Sequence, residues 1–390
     1  MNWTTEQIKN AVFDFDKKNE SEQKKIAKYL KKNISYDKYQ MQVRQKEKAI
    51  GNMKVEKNVL SGSEQFYPDH LDFSEINVNL ADLNNCAFLI MAGGEGERLR
   101  VSLKERGYSD NDLKDFTKST FPIPNKPYKF GALEVNLRLI SKLDDKIPVI
   151  ITTGPKGSNT ERIIPKILKR NNYFGIKNLE ILAQNERLHL TDDNKIVFVG
   201  NCPVTNPDET GGPIAKFKES GVLEKLENKG ITKLIVLQGI AVYSEEILPL
   251  IASAGKDFDG MGIGILRDNF PKTDPYGTFV FSQGKLRIVE KEIRTPETYK
   301  ITNPSGKFLP YNTGFYVFEL NLLKNIDLPD YATPPKIISE KMTSPKIGFA
   351  MTDIISLAKK AAVLTISNKD FCVIKNAEDI DGLAGFFEQQ

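Results

Sequence analysis

The chain has 390 residues, 40% of them hydrophobic and 27% charged, with a formal net charge of +4. That length allows two or three domains and a sizeable core, and so small and evenly spread a positive excess argues against nucleic acid as the main partner. No apolar run approaches the roughly 20 residues of a membrane-spanning helix. The N-terminus lacks the basic-then-apolar order of a secretory signal. Cys86, Cys202 and Cys372 are odd in number and far apart, so reduced thiols are expected in preference to disulfides. With His70 and His189 the only histidines, neither a His-rich metal site nor a Ser-His-Asp triad is expected. These features point to a cytoplasmic enzyme or binding protein.

Residues 5–50 are predicted as helices. Ile8, Val12 and Phe15 share one face, as do Ile26, Tyr29 and Leu30 in the next segment, with Lys24, Lys25, Lys28, Lys31 and Lys32 on its solvated side. Residues 51–82, polar and carrying Pro68, read as an irregular connector. From Asn84 to about Leu320, strand-like apolar runs at 86–92, 147–153, 178–183, 233–238, 260–266 and 277–281 alternate with helical patterns at 131–143, 159–171 and 213–228. That alternation predicts a mostly parallel, doubly wound α/β sheet with ligands beyond the carboxyl ends of its strands. From about residue 321, where Pro329, Pro334, Pro335 and Pro345 punctuate the chain, a small separate unit is expected.

The run Cys86–Ala92 is apolar without a break and stops at Gly93, Gly94 and Gly96. A buried parallel strand that ends in closely spaced glycines offers successive backbone N–H groups to an anion. Arg98 adds a fixed charge able to fork onto phosphate oxygens. Leu99 stands where a dinucleotide fingerprint would place its third glycine, and no Gly-Lys-Ser/Thr follows, which excludes a P-loop.

The stretch Gly93–Leu99 resembles the signature Gly-Gly-x-Gly-Thr-Arg-Leu-Gly of nucleotide-sugar pyrophosphorylases, with Glu97 in place of Thr and Arg100 in place of Gly. Over residues 85–385 the chain is most similar to the eukaryotic-type UDP-N-acetylhexosamine and UDP-sugar pyrophosphorylases. The resemblance implies a GT-A/Rossmann-like doubly wound mixed sheet. It implies a helical N-terminal segment and connector (1–82), a catalytic domain (83–320) and a small C-terminal domain (321–390). It also implies the reaction of UTP with a sugar 1-phosphate, N-acetylglucosamine 1-phosphate or glucose 1-phosphate, to give a UDP-sugar and pyrophosphate.

Carried over motif by motif, the resemblance places Gly93, Gly94, Gly96 and Arg98 at the phosphates. Lys118, in Thr117–Pro124, is the candidate phosphate lysine, with Lys126 or Lys129 as substitutes. Thr153, Gly154 and Pro155 resemble the Thr-Ser-Gly-Pro motif of the nucleoside pocket, and Gln184 matches a glutamine that bonds the uracil edge. A primary amide supplies both the donor and the acceptor that such an edge requires. Gly211 and Gly212, in a segment resembling Pro-Asp-Gly-Asn-Gly-Gly, would let the backbone pack flat against the base. Gly277, Glu290 and Asn312 match sugar contacts. Lys375, in Phe371–Ala377, matches a C-terminal lysine that reaches the phosphates.

Magnesium is the implied cofactor, held in the family by an Asp at the end of the strand that is 233–238 here. Residues Gln238, Gly239 and Ile240 supply no carboxylate. Either Asp259, Glu245 or another carboxylate takes its place, or the chain is a nucleotide-sugar-binding homologue with weakened or lost catalysis, so the metal ligands stay unassigned. A glycosyltransferase on the same fold is a second alternative, although its usual Asp-x-Asp is absent. Oligomeric state is not legible.

Overall fold

The computed structural model describes residues 3–124, 126–339 and 342–388. The chain forms two compact units. The larger comprises Ser63–Gln184, Pro213–Asp327 and Thr352–Gln390. It is built on a sheet whose main path contains eight strands. In chain order these are β1 (His70–Asp72), β2 (Cys86–Met91), β3 (Val149–Thr153), β4 (Leu179–Ala183), β5 (Lys233–Gln238), β6 (Gly260–Arg267), β7 (Phe308–Glu319) and β8 (Ala361–Ile366). Their order across the sheet is β1-β8-β6-β7-β5-β2-β3-β4. Only β7 runs antiparallel to its neighbours on this path. A hairpin, Thr278–Ser282 with Lys285–Val289, joins it where Thr278 pairs with Tyr311.

The unbroken apolar run of β2 is explained by its place in this sheet. From Cys86 to Ile90 successive side chains point to opposite faces, and all are buried. Phe88, Ile90, Val149, Ile151, Ile235 and Leu237 enter one core with Leu133, Leu137 and Ile140 of the helix Gly131–Leu143. Central parallel strands covered on both faces have this composition because no position needs a polar side chain. The register sets Gln238, Met91, Thr152 and Leu182 side by side. The loops that follow β5, β2, β3 and β4 therefore leave the sheet along one level edge, where open α/β sheets take ligands.

The smaller unit comprises Met1–Gly62, Asn185–Gly212 and Leu328–Met351. Its helices Thr5–Ala11 and Glu20–Asn33 each begin with a capping box, Thr4 with Gln7 and Asn19 with Glu22. Ile8, Val12, Ile26 and Leu30 meet Leu188, Leu190 and Ile196 in its core. A hairpin, Tyr331–Ser339 with Met342–Gly348, carries Pro334, Pro335 and Pro345 within its strands. Those prolines are strand residues, not the punctuation read from sequence, and an isolated two-stranded ladder tolerates them at its edges. The expected connector also gives way to structure: the helix Tyr36–Gly62 runs well past residue 50, because Met53–Leu60 contains neither Pro nor Gly. Residues 321–390, read as one small domain, contribute 328–351 to the smaller unit and 321–327 and 352–390 to the larger. No described helix is long and apolar enough to cross a membrane. Cys86, Cys202 and Cys372 are free thiols.

Candidate functional site

The glycine loop leaves β2 and enters the helix Glu97–Glu105. Gly96 precedes that helix with φ +75°, a left-handed conformation that a Cβ disfavours. Gly93 is fixed by close approach instead. A Cβ there would fall 2.9 Å from Gln184 Oε1 and 3.2 Å from the Gly154 nitrogen. The ends of β2, β3 and β4 thus bring Gly93, Gly154 and Gln184 together. Gly94 faces open space. The loop after β3 is closed by side chains: the Gly154 N–H donates to Thr160 Oγ1 at 2.8 Å, and the Thr160 N–H donates to Glu95 at 3.3 Å. Glu95 therefore ties the glycine loop to the Thr153–Pro155 turn. Thr153 is buried, and its hydroxyl donates to the Gly154 carbonyl at 3.1 Å.

Three cations gather beside this loop. Lys118 starts against it, its Cβ 3.1 Å from where a Gly96 Cβ would stand. Its ammonium is pushed down to about 8, first by burial and then by Arg98 and Lys375, with Asp379 opposing. Lys375 is also pushed down, first by burial; Asp379, Asp274 and Glu290 pull the other way and Arg98 adds to the drop. Its Nζ lies 3.5 Å from the centroid of the Tyr276 ring, which stacks on Tyr311 at 4.7 Å. Arg98 is exposed and has no acceptor among the described residues. Like charges held this close lower one another's affinity for protons, and an anion between them relieves the repulsion. The sequence alternatives to Lys118 lie elsewhere: Lys126 pairs with Glu388 at 3.7 Å, and Lys129 lines a separate cavity.

Gly277, Glu290 and Asn312 converge next to the Lys375 platform. Glu290 Oε1 stands 3.1 Å from where a Gly277 Cβ would be, and the Asn312 N–H donates to the Gly277 carbonyl at 2.8 Å. Asn312 Nδ2 donates to Tyr316 Oη at 2.7 Å, and its Oδ1 accepts from the Gly314 N–H at 2.9 Å. Both ends of the Asn312 amide are therefore fixed. Gly211 and Gly212 belong to the smaller unit. There the Gly211 N–H donates to the Phe349 carbonyl at 2.7 Å and the Gly212 N–H to Glu209 at 3.2 Å. Both amide protons are engaged, which leaves only the peptide faces for a flat ligand.

Asp259 and Glu245, the carboxylates named from sequence for a magnesium ion, are both engaged elsewhere. Gln238 closes β5 with a neutral amide whose Nε2 donates to the Thr313 carbonyl at 3.2 Å. Asp259 precedes β6 at the opposite, amino-terminal edge, where its carboxylate accepts from the N–H groups of Lys359 and Lys360. Glu245 is paired with Lys142 on the surface. Among the described residues no cluster of three or more His, Cys, Asp or Glu could hold a metal.

Two residues to which the sequence alone gives no role, Tyr276 and Asp379, hold Lys375 in place. Asp379 carried a signal, since Asn376 and Asp379 have capping-box spacing. Its carboxylate accepts from the Lys375 N–H at 2.7 Å and the Asn376 N–H at 2.9 Å, which fixes the backbone from which Lys375 projects. Tyr276 carried none, because its platform exists only once the segment before the hairpin, the strand at Tyr311 and the C-terminal segment meet.

No family model matches this chain. It is 22% identical over 334 residues to UDP-N-acetylhexosamine pyrophosphorylase-like protein 1 of Homo sapiens, covering 77% of this chain and 62% of that protein. The same protein of Xenopus tropicalis is 22% identical over 241 residues, 57% of this chain and 43% of that one. The chain therefore spans about six-tenths of the human relative's length at most. Among solved structures, the uridine diphosphate N-acetylglucosamine pyrophosphorylase of Trypanosoma brucei superimposes with a TM-score of 0.70 at 14% identity, over 95% of this chain and 80% of that one. The UDP-glucose pyrophosphorylase of Leishmania major gives 0.66 at 14% identity, over 93% and 78%. The chain has the UDP-sugar pyrophosphorylase fold. Its mixed α/β sheet agrees with the class expected from the alternation of runs.

Proposed function

We propose that this chain binds UTP and a sugar 1-phosphate and joins them into a UDP-sugar with release of pyrophosphate. The observation that carries this reading is the convergence of Arg98, Lys118 and Lys375 on a glycine loop at the carboxyl edge of a parallel sheet. A phosphate oxygen of the sugar 1-phosphate attacks the α-phosphorus of UTP. The new O–P bond forms in line as the bond from that phosphorus to the β-phosphate oxygen breaks, and pyrophosphate leaves. The protein forms no covalent bond, so its contribution is positioning and charge neutralisation. The exposed loop at Gly94 and the three cations meet the phosphates, Gln184 with Thr153, Gly154 and Pro155 the nucleoside, and Glu290 with Asn312 the sugar hydroxyls. N-acetylglucosamine 1-phosphate is the first choice of substrate and glucose 1-phosphate the second.

One observation favours a second reading, in which the site binds the UDP-sugar without turnover. Gln238 ends β5 with an amide where the resemblance implies a metal-binding carboxylate. A pyrophosphate-release assay across UTP, other nucleoside triphosphates and several sugar 1-phosphates, with and without divalent cations, decides between the two. Release specific to UTP supports the transferase. UDP-sugar binding by calorimetry with no release supports the second reading, and neither binding nor release refutes both.

A further inference from the structure

Residues between Tyr108 and Pro124, together with Lys129, Phe130 and the helix Asn159–Arg170, line a cavity of about 1050 Å³. It is separate from the proposed phosphate cations, since Arg98, Lys118 and Lys375 do not line it. Its inner wall is apolar: Phe116, Phe121 and Ile163 are buried, and the rings of Phe116 and Phe121 meet edge to face at 5.5 Å. Its rim is cationic. Arg162, Lys166 and Arg170 repeat every four residues along one face of the helix, and Lys114 and Lys129 contribute from the other wall. Two carboxylates share the rim, and both are engaged: Asp115 pairs with Arg162 at 3.3 Å, and Asp112 accepts from the N–H and hydroxyl of Ser109 at 2.8 and 2.6 Å. Among the described residues, Lys114, Lys129, Lys166 and Arg170 have no carboxylate partner, and all four are exposed.

We propose that this cavity is a second binding site, for a small amphipathic organic anion whose aromatic or acyl body lies on the phenylalanine wall and whose phosphate or carboxylate meets the rim. The volume suits a ligand of drug size, and an apolar pocket with a few placed charges is the usual form of such sites. Charge complementarity selects an anion over a neutral or cationic ligand. Phe116 also lies against the glycine loop, its Cε1 3.0 Å from where a Gly96 Cβ would stand. An occupant of the cavity would therefore press on the wall that supports that loop. The site stands or falls independently of the reaction proposed above.

The test uses 8-anilino-1-naphthalenesulfonate, an aromatic anion, as a fluorescent probe on the full chain. Saturable binding at one site is expected, weakened by added salt and about tenfold weaker in the double variant Lys166→Glu, Arg170→Glu. Lys129→Glu, on the other wall, should weaken it in the same direction, which covers a folding defect in the double variant. Binding should be unchanged in Lys375→Met, and the neutral N-phenyl-1-naphthylamine should bind more weakly. Competition by phenyl phosphate against phenylacetate then separates a phosphate from a carboxylate headgroup. Non-saturable fluorescence, equal binding of the neutral probe, insensitivity to the charge reversals, or equal loss in Lys375→Met would each overturn the proposal.

Discussion

Lys118 gives a prediction with a sign, a size and a control. Its ammonium titrates near 8 in the free protein because burial, Arg98 and Lys375 all disfavour the charge. A bound pyrophosphate group supplies the missing counter-charge and restores the lysine toward its ordinary value. Affinity for a UDP-sugar should then follow the protonated fraction of the free protein. Between about pH 7 and about pH 9 that fraction falls roughly tenfold, and the dissociation constant should rise by the same factor. The pyrophosphate diester of the ligand does not titrate in this window, and the uracil N3–H, which begins to do so at its alkaline end, contributes equally to any variant that keeps the nucleoside contacts. Isothermal calorimetry with UDP-N-acetylglucosamine at several pH values measures the slope. Lys118→Arg keeps the charge and removes the lysine's titration, so its profile should be clearly flatter than that of the native chain. The same shift predicts a stability effect. A lysine depressed in the folded state makes the unfolded chain bind more protons between the two pKa values, so stability should rise as pH climbs from about 8 toward about 10.5. At full value the depression corresponds to ~3 kcal/mol. Discounted for a side chain partly open to water, Lys118→Met should gain ~1–2 kcal/mol at neutral pH in urea unfolding while losing affinity. Identical pH profiles for the native chain and Lys118→Arg would refute the argument.

Three further outcomes follow from the same geometry. Tyr276→Leu removes the ring beneath Lys375 Nζ, an interaction worth ~0.5–2 kcal/mol, so UDP-sugar affinity should fall about threefold to thirtyfold by calorimetry, whereas Tyr276→Phe keeps the ring and should stay near the native value. Gly93→Ala drives a methyl against Gln184 and Gly154 and should lower the melting temperature, whereas Gly94→Ala meets only open space and should melt like the native chain; lost binding in Gly94→Ala would then report the ligand alone. Asp379→Ala removes the carboxylate that accepts from the Lys375 and Asn376 N–H groups and should cost ~1 kcal/mol in urea unfolding, with weaker UDP-sugar binding because Lys375 loses its fixed backbone.

What could be read from the sequence follows the range of the forces involved. β2, β3, β5 and β6 were legible because a strand covered on both faces needs a nearly continuous apolar run, and such a run is local, while β4, a half-buried edge strand carrying Glu180, was legible from Leu179, Ile181 and Leu182. The helix Gly131–Leu143 matches its expected span for the same reason, its apolar stripe being written in adjacent turns. β7 was missed: Phe308–Glu319 mixes Pro310, Asn312 and Gly314 into the strand, and its bulges against β6 depend on partners found only in the fold. The division of residues 321–390 between two units is likewise a matter of distant packing, which no local pattern records. The site shows the same split. Glycines and lysines stood in recognisable order. That Asp379 fixes the Lys375 backbone, that Tyr276 carries its ammonium, and that Glu95 closes the Thr160 turn are all contacts between remote segments.

The electrostatics of the larger unit point one way. In the proposed reaction a triphosphate would bring several negative charges to the carboxyl edge of the sheet, each of which must be met before an in-line displacement can proceed. The expected answer is a divalent ion on a carboxylate at the end of β5, but that position holds Gln238, its amide turned to the Thr313 carbonyl. Burial and Arg98 lower the proton affinity of both Lys118 and Lys375, only partly offset by Asp379 and, for Lys375, by Asp274 and Glu290. That cost makes the empty site unfavourable and the anion-bound site correspondingly favourable. In the proposed reaction, Arg98, Lys118 and Lys375 would then supply the positive charge that meets the phosphates.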